Sequence, residues 1–192
     1  MATRAQLLDA AEQVFLTQGV AKTTLQQVAA AAGLTRGAIY WHFQDKADLF
    51  LAMMDRVTLP CENAYEAVEP LIERQPREAV LQMALAPLQS LAQSDQVTRV
   101  FAIAMHCTEY VGEMAPVRAR YQQAVADYVS SMQAALNGFL PAAQAAPAAI
   151  GLFCLIDGLM GQWTLAPGSF DLLATGEHCV RAFVSGLQAQ AD

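Results

Sequence analysis

The chain has 192 residues, 55% hydrophobic and 15% charged, with ordinary glycine and proline usage; this excludes a disordered chain and suffices for one large core or two smaller ones. The net charge of −7 argues against a protein that coats nucleic acid by bulk charge. The charge is unevenly placed: residues 1–59 carry Arg4, Lys22, Arg36, Lys46 and Arg56 against Asp9, Glu12, Asp45, Asp48 and Asp55, so the whole excess lies beyond them.

Arg4 to Gln18 is the first predicted helix, with Leu7, Ala11, Val14 and Phe15 on one stripe and Gly19 as its stop. From Leu25 to Ala32 the apolar positions Val28, Ala29 and Ala32 repeat at helical spacing, and Thr24 with Gln27 three residues on is a capping-box pair. Gly33 supplies the left-handed residue that ends a helix. Thr35 caps a second short helix, Arg36 to His42, which turns Ile39 and Phe43 toward the first and Arg36, Gly37, Tyr40 and Trp41 elsewhere. Two short helices joined by a glycine turn make a helix-turn-helix, the unit that lays its second helix in the DNA major groove.

Within that stretch, Arg36 is the candidate for a bidentate contact to guanine. Gly37 costs a helix roughly 1 kcal/mol relative to alanine, which is easiest to understand if backbone must come close to the bases. Tyr40 can reach a thymine methyl or a phosphate oxygen. Thr24, Thr35, Trp41, His42 and Lys46 suit phosphates through hydroxyl, ring N–H or ammonium. Because the head is net neutral, such placed donors must carry the binding.

Asp45 caps a fourth helix, 46–59, with Asp48 three residues on, an apolar face of Leu49, Phe50, Met53, Met54 and Val57, and an end or bend at Pro60. The sequence thus divides into a DNA-binding head, 1–45, and a body, 46–192, with helix 46–59 connecting them. In the body, Pro76 opens a helix with Val80, Met83, Ala84, Leu88 and Leu91 inward and a kink at Pro87. Asp95 opens another through Phe101, Met105 and Thr108, and Pro116 a third through Tyr121, Tyr128 and Met132 that Asn137-Gly138 closes. Gln144 to Leu165 is apolar nearly all round, and after Ala166-Pro167-Gly168 the last helix is capped by Ser169 and carries Leu173, Val180, Phe183, Val184 and Leu187. With no hairpin or alternating run, the expected fold is all-α: a three-helix helix-turn-helix head and a helical-bundle body, about nine helices together.

Residues 128–156 contain no charge, a length that can span a bilayer. Gln133, Asn137, Pro141, Gln144 and Pro147 interrupt it, so two buried helices of a non-membrane core are expected. The last two helices are apolar on more than one face, with Gly151, Gly158 and Gly161 permitting close approach. They predict a two-fold homodimer. Two copies of the head would then read an inverted repeat in a double-stranded operator.

Met83, Leu88, Phe101, Met105, Met132, Phe153 and Ile156 are large, soft or aromatic residues from several body helices, the composition both of plain core and of an effector pocket. Asp157 stands in the middle of LFCLIDGLMGQW. A carboxylate there needs a partner, which could be an amine or hydroxyl of a ligand or a donor from another helix or subunit. Cys61, Cys107, Cys154 and Cys179 are widely spaced, with no CxxC pair, and are read as buried small hydrophobes in a reducing compartment; no metal or cofactor is expected. No basic and apolar leader opens the chain, so a cytoplasmic location is expected. His106 with Glu109, and His178 beside Glu177, form no set of nucleophile, base and orienter, so an enzyme is not expected.

The run TRGAIYWHFQDK, preceded by TTLQQVAAAAGL, resembles the DNA-binding signature of the TetR family of bacterial ligand-responsive regulators, in particular its multidrug-efflux repressor branch. The match runs almost without gaps from Leu7 to Leu49. The resemblance implies a dimer, and it implies backbone or base contacts at Tyr40, Trp41, His42 and Lys46. MHCTEYVGEM and DGLMGQWTLAPGSFDL are similar to the bodies of efflux-pump repressors, which implies a pocket for flat, amphipathic drugs. The function so implied is repression of an efflux operon, released by a small hydrophobic or aromatic effector; the alternative is a regulator of a metabolic or other non-efflux operon with a different ligand.

Overall fold

The computed structural model describes residues 2–57 and 68–188. Among these residues the chain forms ten α-helices and one 3₁₀ helix, with no strand: α1 (Ala2–Gln18), α2 (Leu25–Ala31), α3 (Arg36–His42), α4 (Lys46–Met54), α5 (Glu69–Ile72), α6 (Pro76–Gln93), α7 (Asp95–His106), the 3₁₀ helix (Gly112–Met114), α8 (Ala115–Leu136), α9 (Ala142–Leu165) and α10 (Leu172–Gln188). The all-helical expectation holds. The helix not foreseen is α5, a single turn with proline in its first positions, too short to show a period.

The chain gathers into two compact units that do not follow chain order: residues 1–58 with 96–122, and residues 59–95 with 123–192. In the first, Leu7, Ala11 and Phe15 of α1, Val28 of α2, Ile39 of α3 and Leu49, Phe50 and Met53 of α4 are almost wholly buried. The Phe15 and Phe50 rings lie 5.8 Å apart. These are the stripes that the 3.6-residue period selects. Local chemistry sets the helix ends. Gln27 N–H donates to the Thr24 hydroxyl and Thr24 N–H to the Gln27 side chain; Asp48 N–H donates to Asp45 and Gln44 N–H to Asp48. Gly19 at φ +77° and Gly33 at φ +68° take the left-handed turns after α1 and α2.

α4 ends at Met54, short of the expected 59. Arg56 and Val57 N–H bond three residues back instead of four, and the Arg56 guanidinium is drawn to Asp9 at 2.6 Å and Glu12 at 2.9 Å. Val57 is half-buried; Pro60 and Cys61 lie outside the described residues. Glu12, 3% exposed, also accepts from Arg99 at 3.3 Å and Gln96 at 3.1 Å. One buried carboxylate therefore ties α1 to the turn after α4 and to α7, and it has the donors that a buried charge requires. Val20 N–H, in the turn after α1, donates to the Cys107 carbonyl beyond α7 at 2.8 Å.

The second unit is built on α6, α9, α10 and most of α8. Met83, Leu88, Leu91, Met132, Leu152, Ile156 and Val180 are at most 1% exposed. The Tyr128 hydroxyl donates to the Met83 carbonyl at 3.0 Å, and its ring lies 6.3 Å from that of Phe153. Gly176 makes room for Leu88, whose Cδ1 would stand 2.2 Å from an added Cβ. Pro147 lies inside α9, in its second turn, where it removes one i→i−4 hydrogen bond that the rest of the long helix absorbs. Asp171, not Ser169, caps α10 by accepting from Ala174 N–H at 2.9 Å. Leu172 is buried and Leu173 is 43% exposed.

α9 is long and apolar enough to cross a membrane, with only 33% of its apolar window buried within this chain. The uncovered part is organised: Ile150, Cys154, Gly158, Gln162 and Leu165 are all exposed, and their helical spacing places them on one stripe.

Candidate DNA interface and effector site

α3 is anchored by Ile39, which is fully buried, while Tyr40 is 47% and Trp41 86% exposed. Arg36 and Gly37 are exposed on the same short helix, and Thr35 caps it through Ala38 N–H at 3.3 Å. The Arg36 guanidinium lies 5.5 Å from the centre of the Tyr40 ring, a cation–π geometry that restrains the arginine. His42 is half-buried, its ring 6.2 Å from that of Phe43. An exposed tryptophan beside an exposed tyrosine, arginine and glycine contributes nothing to the core and presents donors and π faces outward.

Gly37 has no internal reason to be glycine. An added Cβ would meet nothing closer than the Thr35 hydroxyl at 3.9 Å, and φ is not in the left-handed region. Gly37→Ala is expected to raise helix stability by about 1 kcal/mol and, on the expectation that backbone here comes close to the bases, to weaken operator binding. A thermal melt and a fluorescence anisotropy titration read the two opposite signs.

Thr24, Tyr40 and Lys46 are brought together along a cleft of about 350 Å³ that Gln44, Asp45 and Glu113 also line. Lys46 is 9% exposed. Its ammonium donates to the carbonyls of Ala21 at 3.3 Å and Thr23 at 3.2 Å, and pairs with Glu113 at 2.7 Å. Glu12 and Glu113 are the residues here that sequence reasoning passed over. Their partners are far away along the chain, and no local pattern marks them.

The eight candidate effector residues are divided between the two units. Met83, Leu88, Met132 and Ile156 are core of the second unit, where Phe153 and Asp157 are half-buried; Phe101 and Met105 lie on α7, in the first unit. Two clefts in the second unit, about 490 Å³ along α9 and about 340 Å³ at the start of α6, are lined by other residues. Half-burial leaves the Asp157 carboxylate part of its hydration. Cys154 is exposed, contrary to the buried reading, while Cys107 and Cys179 are half-buried. Burial pushes the Cys107 thiol up, so it is a poor nucleophile. Burial also pushes the Tyr110 phenol up to about 12; its hydroxyl donates to the Ala104 carbonyl at 2.9 Å.

Residues 7–53 match the family of bacterial regulatory proteins known as the tetR family, and residues 75–189 match the C-terminal region of MAATS-type transcriptional repressors. The HTH-type transcriptional regulator TtgR of Pseudomonas putida is 37% identical over 184 residues, covering 93% of this chain and 88% of that protein. NalD, the secondary repressor of the MexAB-OprM multidrug efflux pump in Pseudomonas aeruginosa, is 33% identical in its crystal structure, with a TM-score of 0.83 over 97% of this chain and 96% of that one. A complex of SmeT with triclosan superposes with a TM-score of 0.75 at 27% identity over 97% and 91% of the two chains; SmeT is the repressor of the Stenotrophomonas maltophilia efflux pump SmeDEF. With a regulator-type helix-turn-helix at one end, a repressor-type C-terminal region over the remaining helices and relatives alike over nearly their whole length, the chain belongs to the TetR family of bacterial transcriptional regulators.

Proposed function

We propose that the protein is a cytoplasmic, ligand-responsive repressor of a multidrug efflux operon, acting as a homodimer on an inverted-repeat operator. The observation that carries this reading is α3, whose exposed face holds Arg36, Gly37, Tyr40 and Trp41, with Thr24, Thr35, His42 and Lys46 as further contacts to the backbone. The exposed stripe of α9 supports a dimer, since a second copy would cover it. The pump-repressor role of NalD and the drug bound to SmeT support an efflux operon and a small aromatic effector.

Residue placement also supports coupling. Phe101 and Met105 sit on α7, whose Arg99 and Gln96 grip Glu12 in α1. An effector that favours a state with the two heads misspaced then lowers operator affinity by its differential affinity for that state. The test is selection of operator fragments from random DNA, followed by titration with triclosan and other aromatic drugs. An inverted repeat and loss of binding at saturating drug are expected. Failure to select any sequence would refute operator binding. Unchanged affinity at saturation would refute drug release, and release by metabolites alone would favour a non-efflux operon.

A further inference from the structure

We infer that Glu113 competes with a DNA phosphodiester for Lys46, so that the 3₁₀ helix Gly112–Met114 governs how much positive charge the head presents to the operator. The inference rests on the reading that the face carrying Thr24 and Tyr40 meets DNA. The Lys46 ammonium has three protons and three acceptors: the carbonyls of Ala21 and Thr23, and the Glu113 carboxylate at 2.7 Å. The two carbonyls hold it in place. The third acceptor is the exchangeable one, because the Glu113 side chain is 54% exposed against 10% for Lys46, and an ion pair with one partner in water is weak.

The pair borders the cleft shared with Thr24 and Tyr40. The Thr24 N–H and hydroxyl both donate to Gln27, so the positive charge that lines this cleft is that of Lys46. A phosphate entering the cleft would meet the Glu113 carboxylate within a few ångströms, where like charges repel. It gains Lys46 only as Glu113 lets go. Of the five basic residues in 1–59, two are already paired: Arg56 with Asp9 and Glu12, and Lys46 with Glu113.

Glu113 is also well placed to be moved. It lies between α7 and α8, directly after Gly112, whose φ of +57° is a left-handed backbone state that other residues rarely adopt. A shift of this turn changes the grip on Lys46 without any rearrangement of the recognition helix.

The experiment is operator titration by anisotropy from 50 to 300 mM KCl with the full-length protein and the variants Glu113→Gln, Lys46→Met and the double variant. Glu113→Gln is expected to bind more tightly and to steepen the slope of log K against log[salt] by about 0.9 for each head, the signature of one further phosphate neutralised. Lys46→Met is expected to abolish that gain in the double variant. An equal gain in the double variant would mean a general loss of negative charge, and weaker binding by Glu113→Gln would mean that Glu113 positions Lys46 for DNA; either result overturns the competition. Should Lys46→Met fail to fold, Glu113→Asp decides: it keeps the charge but withdraws the carboxylate by one methylene, and a wild-type slope would refute the idea. Arg36→Ala in the same titration separates the two levels. If it leaves binding unchanged, the DNA-face reading itself fails; if it weakens binding while Glu113→Gln does nothing, only the competition fails.

Discussion

Replacing Arg36 by alanine is expected to weaken operator binding by about 1–3 kcal/mol in each half-site, with the loss concentrated at one base pair. The arginine stands exposed at the start of α3, and Tyr40 restrains its guanidinium at 5.5 Å, so little entropy is lost when it docks. A bidentate fork on guanine N7 and O6 is specific, because an incorrect base leaves one arm unpaired. Arg36→Lys keeps the charge and loses the fork, and should therefore recover affinity for non-specific DNA but not discrimination. Titration against operators altered one base pair at a time measures this. A uniform loss over all sequences would assign Arg36 to a phosphate.

Gly158→Arg is expected to convert the proposed dimer to a monomer. An added Cβ at Gly158 meets nothing within 4 Å in the chain itself, so the monomer has room for the new side chain, and a helix gains up to about 1 kcal/mol when glycine is replaced. The guanidinium would stand in the middle of the exposed α9 stripe of Ile150, Cys154, Gln162 and Leu165, where a second copy would have to desolvate it. Two linked heads bind more tightly than one by roughly 10²- to 10⁴-fold, so operator affinity should fall by that order while helical circular dichroism is kept. Light scattering after gel filtration reads the mass. A variant that remained a dimer with wild-type affinity would place the interface elsewhere.

The chemistry of the helix-turn-helix could be read directly because each determinant lies within a turn of its partner. Thr24 finds Gln27, Asp45 finds Asp48, and Gly33 needs only its own backbone freedom. Errors of the sequence reading arose where a local preference met a tertiary competitor. α4 stops at Met54 where Arg56 turns toward Asp9 and Glu12. Asp171 takes the cap expected of Ser169.

The glycines of α9 divide in the same way. Gly151 is not free for another subunit, since the Phe183 ring of the same chain would lie 2.9 Å from an added Cβ, whereas Gly158 faces open space. Nothing in the spacing of the two distinguishes them.

By itself, the sequence determined the all-helical class, the capped helix-turn-helix and the residues that α3 turns outward, because periodicity and capping act over three or four residues. Only the tertiary structure decided that Lys46 is held by Glu113, that Glu12 joins α1 to α7, and that α9 leaves one stripe uncovered. Those outcomes depend on which distant segments meet, and burial makes each meeting selective: a charge removed from water must find its partner wherever the fold puts one.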